Sequence, residues 1–124
     1  MRFQEQVAVI TAAGAGIGKA TAEIMVAEGA TVVAIDVDSS RLSALQDAMA
    51  GAPGALIPKV LDAADQSLVQ GAVAEIWENQ GRIDILVNAV GGSTIIEAPA
   101  ATVDELSFED WQKVIDFNLN ATFR

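Results

Sequence analysis

The sequence predicts an α/β fold built on a doubly wound parallel sheet, four strands in the order 3-2-1-4 with helices on both faces. Three observations predict it. Short, nearly continuous apolar runs alternate with segments of helical period. A glycine-rich turn joins the first run to the first helix, and an aspartate ends the second run. Right-handed crossovers leave few topologies for such an alternation, and 3-2-1-4 leads them.

The elements follow in order. VAVIT (7–11) is apolar and β-branched, a buried strand. After the turn AAGAGIG, the residues Ile17, Ala20, Thr21, Ile24, Met25 and Glu28 step at helical spacing, and Gly29 closes the helix. TVVAID (31–36) is the second strand. SSRLSALQDAMAG is a helix with Ser39 or Ser40 as N-cap and Gly51 as its stop. ALIPKVL (55–61) is a weaker strand, which Pro58 places near an edge. The next helix carries Leu68, Val69, Ala72, Val73, Ile76 and Trp77 on one side and stops at Gly81. IDILVNA (83–89) is the fourth strand. A loop rich in Gly, Pro and Thr follows, and Ser107 caps a last helix through "SFEDWQKVIDFNLNATFR". On that helix Trp111, Ile115, Asn118 and Thr122 share one stripe.

Composition narrows the functions. The 124 residues suit one domain, 1–124, and 52% hydrophobic residues suffice for a core. No apolar run is long enough to span a membrane, and "MRFQEQVAVI" does not read as a signal peptide. These features favour the cytoplasm. No cysteine occurs, which excludes disulfides, a thiolate nucleophile and thiolate metal sites. No histidine occurs either, so the commonest zinc ligand and general base is missing, and no metal site is expected. A net charge of −10 argues against nucleic acid as a partner. It leaves room for one small anion held by backbone N–H groups.

The glycine turn is where such an anion fits. Gly14, Gly16 and Gly18 stand between strand and helix, and a phosphate there needs close backbone approach and free N–H donors. Alone, this pattern also describes an ordinary βα loop. Asp36 sharpens it. It lies 20 residues after Gly16, about the spacing at which an acid reaches the hydroxyls of an adenosine ribose. A carboxylate there accepts from both hydroxyls and repels a 2′-phosphate, which favours NAD over NADP. Lys19 reads as a solvated lysine. Arg41 could serve a 2′-phosphate, but it lies inside the second helix and Asp36 opposes it.

"TAAGAGIG" (11–18) resembles the TGxxxGIG turn of the short-chain dehydrogenase/reductase family. Gly16, Ile17 and Gly18 match. The family's first glycine is Ala12 here, tolerable if its φ is negative and its methyl avoids the cofactor. "LDAAD" (61–65) is similar to the family's segment after strand three. It would put the Asp62 carboxylate on the adenine amino group, with the Ala63 backbone beside it. "DILVNAVGG" (84–92) is similar to the family's D-x-L-V-N-N-A-G segment. There Asn88 and Gly91 match, while Ala89 and Val90 depart. This segment would brace the sheet and lie along the cofactor, although Asn88 also suits a strand-end cap. "WQKVIDFNLNATF" resembles the helix that carries the family's catalytic asparagine, which would be Asn118, holding a water that links a catalytic lysine to solvent. On the residues alone, Asn118 also suits a helix-kinking amide satisfied by backbone or water.

The resemblance runs through the chain in register and implies an incomplete Rossmann-type domain. It implies cofactor contacts from Ala12, Gly14, Ala15, Gly16, Ile17, Gly18, Asp36, Val37, Asp62, Ala63, Asn88, Ala89, Val90 and Gly91. The implied reaction is hydride transfer between NAD and a small alcohol or carbonyl substrate, NADP being the lesser alternative. The family's serine and Tyr-x-x-x-Lys lie downstream of the asparagine helix, and this chain has no tyrosine. The chain therefore reads as a cofactor-binding half, inactive alone. Its fourth strand would present an open, apolar edge. Self-association into a homo-oligomer, or association with the missing half, is expected. Two other readings stand beside this one. One is a non-catalytic nucleotide-binding or regulatory half-domain. The other is an S-adenosylmethionine-dependent methyltransferase, whose usual acid before the glycine loop is Thr11 here. The loop 92–106, with Ile95, Ile96 and Pro99, suggests an apolar wall near a substrate but names no molecule.

Overall fold

β1 (Val7–Thr11) lies inside a four-stranded parallel sheet in the computed structural model, which describes residues 1–124. It pairs on one side with β2 (Thr31–Asp36) and on the other with β4 (Ile85–Val87), while β3 (Ala55–Val60) pairs with the far side of β2. The order β3-β2-β1-β4 is the predicted one. Val7 stands opposite Thr31 and Thr11 opposite Ile35, so β1 and β2 end almost level. β1 is buried along its whole length, as its unbroken apolar run requires of a strand covered on both faces. Pro58 sits on the edge strand opposite Ala34, where a missing N–H is tolerated.

β4 pairs over three residues, fewer than the predicted 83–89. Side chains take over the ladder at its ends. Val7 N–H donates to Asp84 Oδ2 at 2.8 Å, and Ala89 N–H donates to Thr11 Oγ1 at 3.1 Å.

One face of the sheet packs on α1 (Gly16–Ala27) and α2 (Ser39–Ala48), through Ala8, Ile10, Ala22, Val26, Val32, Ala34, Leu42 and Leu45. The other packs on α3 (Gln66–Gln80), through Val7, Val9, Val33, Ile35 and Ile76. The buried face of α1 is Gly18, Ala22 and Val26. Ile17 and Ile24, part of the stripe read from the sequence, are 82% and 53% exposed. Small residues bring the helix close to a sheet face that itself carries Ala8 and Ala34. The large apolar side chains therefore point away. Likewise α3 buries Ala72 and Ile76 but leaves Trp77 exposed. At the end of α1, Gly29 N–H donates to the Val26 carbonyl and Ala30 N–H to the Met25 carbonyl, the closure expected at Gly29.

Two helix features depart from the sequence reading. Asp38, not Ser39 or Ser40, caps α2, accepting from the N–H groups of Ser40 and Arg41. A carboxylate is at least as good an acceptor here as a hydroxyl and adds charge at the positive helix end. The last predicted helix is also not uniform. It comprises α4 (Phe108–Ile115), a π-helical turn (Asp116–Asn120) and α5 (Ala121–Phe123). Ser107 caps it as predicted, accepting from Asp110 N–H at 3.1 Å. On the expected stripe, Trp111 and Thr122 are exposed while Ile115 and Asn118 are half-buried, and the π turn breaks the 3.6-residue spacing from Asp116 onward. No helix is long and apolar enough to cross a membrane.

Candidate nucleotide-binding cleft

Beyond the C-terminal ends of the strands lies a cleft of about 530 Å³. It sits at the point where the strand order reverses, the position at which open α/β sheets accept ligands. The turn supplies Ala12, Ala15, Gly16, Ile17 and Gly18 to its wall. The end of β2 supplies Ile35, Asp36 and Val37. Leu61, Asp62 and Ala63 follow β3, and Ala89, Val90 and Gly91 follow β4. Arg41 and Phe117 complete it. Of the residues expected to contact a cofactor, Gly14 and Asn88 are not on this wall. Gly14 lies directly behind Asp36. Asn88 faces a smaller cavity of about 130 Å³, beside Val9, Thr11 and Ala121. Neighbouring residues of an extended chain point to opposite sides, so Ala89 and Asn88 part company.

The turn is shaped by three close approaches. A Cβ on Gly18 would lie 2.3 Å from the Ala12 carbonyl oxygen, so only glycine lets α1 start this near β1. A Cβ on Gly14 would lie 2.8 Å from Arg41 Cβ and 2.9 Å from Asp36 Oδ2. Ala12 adopts φ +51°. The condition of a negative φ, under which alanine would be tolerable here, is therefore not met. The chain must bend back here to bring Ala13 N–H onto the Ile35 carbonyl at 2.9 Å, and the methyl is carried in the left-handed region.

α1 begins without a side-chain cap. Its N-cap, Ala15, has no capping oxygen, whereas Asp38, Asp65 and Ser107 cap α2, α3 and α4. Its first turn contains no acid, and Gly16, Ile17 and Gly18 all border the cleft. The N–H groups at this end and the helix dipole thus turn free donors and positive potential toward the cleft, as suits an anion. Lys19 pairs with Glu23 at 3.8 Å on the helix surface, the solvated lysine expected.

Asp36 is buried, only 8% exposed, yet it borders the cleft. Its Oδ2 accepts from Gly14 N–H at 2.8 Å and its Oδ1 from Asp38 N–H at 3.0 Å. Each oxygen keeps a further lone pair for a ligand hydroxyl. Asp62 is exposed; its Oδ1 accepts from Ala64 N–H at 2.8 Å, and the buried Ala63 lies next to it.

Asn118 does not face the cleft. It fastens the cleft's far wall instead. Gly92 N–H donates to its Oδ1, and its Nδ2 donates to the carbonyls of Gly92 and Val114. Its Oδ1 would be 2.8 Å from a Cβ on Gly91. Ile95 is partly exposed and Ile96 buried, and neither reaches the cleft.

Arg41 is the cleft residue that sequence reasoning set aside. The sequence places it inside the second helix and opposed by Asp36; it lies in the first turn of α2, three residues after the Asp38 cap. Its Nε is 3.4 Å from Asp38 Oδ2. Hydrogen bonds from the Ser40 hydroxyl and the Arg41 and Ser40 N–H groups hold the Asp38 carboxyl below the usual carboxylate range.

The titratable side chains of the cleft are Asp36, Asp62 and Arg41. No group of three or more Asp or Glu is placed to hold a metal. The wall thus offers backbone N–H groups at the start of α1, a buried carboxylate with free lone pairs, and apolar side chains between them.

The family model described as short chain dehydrogenase matches residues 6–124. The chain is 39% identical over 123 residues to a 3-oxoacyl-(acyl-carrier-protein) reductase, FabG, of Thermotoga maritima, covering 99% of this chain and 48% of that protein. It is 39% identical over 122 residues to a 3beta-hydroxysteroid dehydrogenase of Mediterraneibacter gnavus, covering 98% of this chain and 43% of the relative. A metagenomic short-chain oxidoreductase solved in complex with NADP superposes with a TM-score of 0.84 at 27% identity, over 99% of this chain and 54% of that one. The chain thus spans about half the length of the curated relatives it matches. With the sheet order, the glycine turn and the family match agreeing, the chain belongs to the short-chain dehydrogenase family.

Proposed function

We propose that this chain is the cofactor-binding part of an NAD-dependent oxidoreductase acting on an alcohol or carbonyl compound. The observation that carries the reading is the position of Asp36, a buried carboxylate that borders the cleft within 2.8 Å of the glycine turn. A nucleotide fits the residues present. The uncapped N-terminus of α1 would hold its pyrophosphate. Asp36 would accept from the adenosine ribose, Asp62 and Ala63 would border the adenine, and Ala89, Val90 and Gly91 would flank the chain toward the nicotinamide. A bound nicotinamide would donate or accept the hydride. The side chains of this chain bind and orient; the accompanying proton transfer calls for groups beyond these residues, since the sequence has no tyrosine.

NAD is favoured over NADP because a 2′-phosphate would meet the carboxylate of Asp36. The relative complexed with NADP keeps the other cofactor as the competing reading. Calorimetric titration of the purified protein with NAD, NADP and S-adenosylmethionine tests this. NAD should bind most tightly. Tightest binding of S-adenosylmethionine, or binding of none of the three, would overturn the reading.

A further inference from the structure

Asp38 uses its two carboxylate oxygens differently. Oδ1 caps α2, accepting from Ser40 N–H at 3.0 Å, the Ser40 hydroxyl at 2.6 Å and Arg41 N–H at 3.1 Å. Oδ2 is left to face the Arg41 guanidinium, 3.4 Å from Nε. Arg41 is in turn placed over the nucleotide cleft. Its Cβ packs beside Gly14, and its side chain borders the same cavity as Asp36. Arg41 is the only cation on that wall. A guanidinium there has the geometry to grip a phosphate with two N–H groups.

We propose that Asp38 is a specificity-determining positioning residue: it restrains Arg41 and so keeps the cleft from accepting a 2′-phosphorylated adenosine. The inference rests on the nucleotide reading of the cleft given above. Asp36 excludes the 2′-phosphate by its own charge. Asp38 does so indirectly, by occupying the one cation able to neutralise that phosphate. The pair is exposed on both sides, so the restraint is weak enough to be undone by a single substitution.

Asp38→Asn separates the two tasks. Asparagine caps helices about as well as aspartate, so Oδ1 keeps its role and the fold is retained. The amide nitrogen then faces Nε, a donor against a donor, and Arg41 is released. The probes are ADP-ribose, which has a free 2′-hydroxyl, and adenosine 2′,5′-bisphosphate, which carries the 2′-phosphate. Both are titrated calorimetrically into the purified protein. Asp38→Asn should leave ADP-ribose affinity unchanged and raise that for the bisphosphate about tenfold, the worth of one charge-assisted contact. Adding Arg41→Ala to Asp38→Asn should abolish the gain.

A gain that survives in the double variant would mean that Asp38 only repels the phosphate, and would overturn the proposal. So would an unchanged bisphosphate affinity in Asp38→Asn. Failure of the unsubstituted protein to bind ADP-ribose would be a different result. It would sink the nucleotide reading itself, and this inference with it.

Discussion

Asn118 and Gly92 are joined by a two-point amide pairing: Gly92 N–H donates to Asn118 Oδ1 and Asn118 Nδ2 donates to the Gly92 carbonyl, each at 2.8 Å. The same Nδ2 reaches the Val114 carbonyl at 2.9 Å. That carbonyl lies four residues earlier, next to the π-helical turn that contains Asn118. The side chain thus ties the segment after β4 to the helix where its backbone ladder is disturbed.

This pairing makes Asn118→Asp a sharp test. The carboxylate cannot donate, so two carbonyls lose their partner and face a negative charge instead. Losing such contacts at a half-buried site costs about 1–3 kcal/mol. Asn120→Ala, which removes only an exposed bond to Asp116, should cost less than about 0.5 kcal/mol. Urea unfolding of both variants, with hydrogen exchange at Gly92, reads the difference. Equal stability of the two would show that the pairing does not fasten the loop.

Ala12 predicts a gain. At φ +51° an alanine sits where its Cβ is strained by about 1–2 kcal/mol, and glycine is not. Glycine also costs about 0.4–1 kcal/mol in unfolded-chain entropy. Ala12→Gly should therefore stabilise by roughly 0.5–1 kcal/mol, seen as a higher Tm. Gly18→Ala should do the reverse and severely, because its Cβ would press on the Ala12 carbonyl oxygen, which is backbone and cannot swing aside. A lower Tm for Ala12→Gly would contradict the strain.

These residues also show where the sequence was legible. β1 and β2 read clearly because strands buried on both faces leave unbroken apolar runs. Pro58 marked an edge, and the glycine turn with Asp36 located the cleft. The α1 face misled because close helix–sheet contact selects Gly18 and Ala22, which periodicity of large apolar residues overlooks. The π turn at 116–120 leaves no mark in a 3.6-residue pattern. The sign of φ at Ala12 is set by how the turn must close onto Ile35, a tertiary demand. Arg41 was set aside as lying inside the second helix and opposed by Asp36, yet the first turn of α2 itself borders the cleft.

Acid should loosen the N-terminus. Arg2 donates to Glu28 Oε1 from Nε at 3.0 Å and Nη2 at 2.7 Å, joining the first residues to the end of α1. The side-chain bond to Arg2 lowers the Glu28 carboxyl from 4.5 to about 2. A depressed carboxylate contributes stability that is complete above its unfolded value and lost as pH falls through its folded one. The contribution should therefore fade between about pH 4.5 and 2. Glu28→Gln should show a shallower loss of stability across that window, and added salt should flatten the parent's curve toward it. Parallel curves for parent and variant would refute the assignment.

The free side of β4 predicts association. β4 pairs only with β1, and Leu86 at its centre is 60% exposed. An unpaired strand edge and an uncovered apolar side chain favour a partner, either another copy or a complementary segment. Sedimentation should show an assembled species at micromolar concentration, and Leu86→Lys should weaken it. A cooperatively folded monomer in dilute solution would end this expectation.

Asp36 braces the turn and is proposed to read the ribose, and its variants should part the two roles. Asp36→Ala removes the proposed acceptor of the ribose hydroxyls and also leaves Gly14 N–H, part of the turn, without its partner. A buried donor left unpaired costs about 1–3 kcal/mol, so this variant should melt earlier and bind every nucleotide less well. Absolute affinity then says little about ribose reading. The ratio of NAD to NADP affinity does, because the damaged turn weakens both alike while only NADP gains from the lost charge. Asp36→Asn keeps an oxygen for Gly14 N–H, turns its amide N–H toward Asp38 N–H, and removes the charge. It should lose less stability than Asp36→Ala while lowering the NAD:NADP ratio about tenfold or more. If both variants keep the parental ratio while Asp36→Ala still loses stability, Asp36 is a strut of the turn, and cofactor choice is made elsewhere in the cleft.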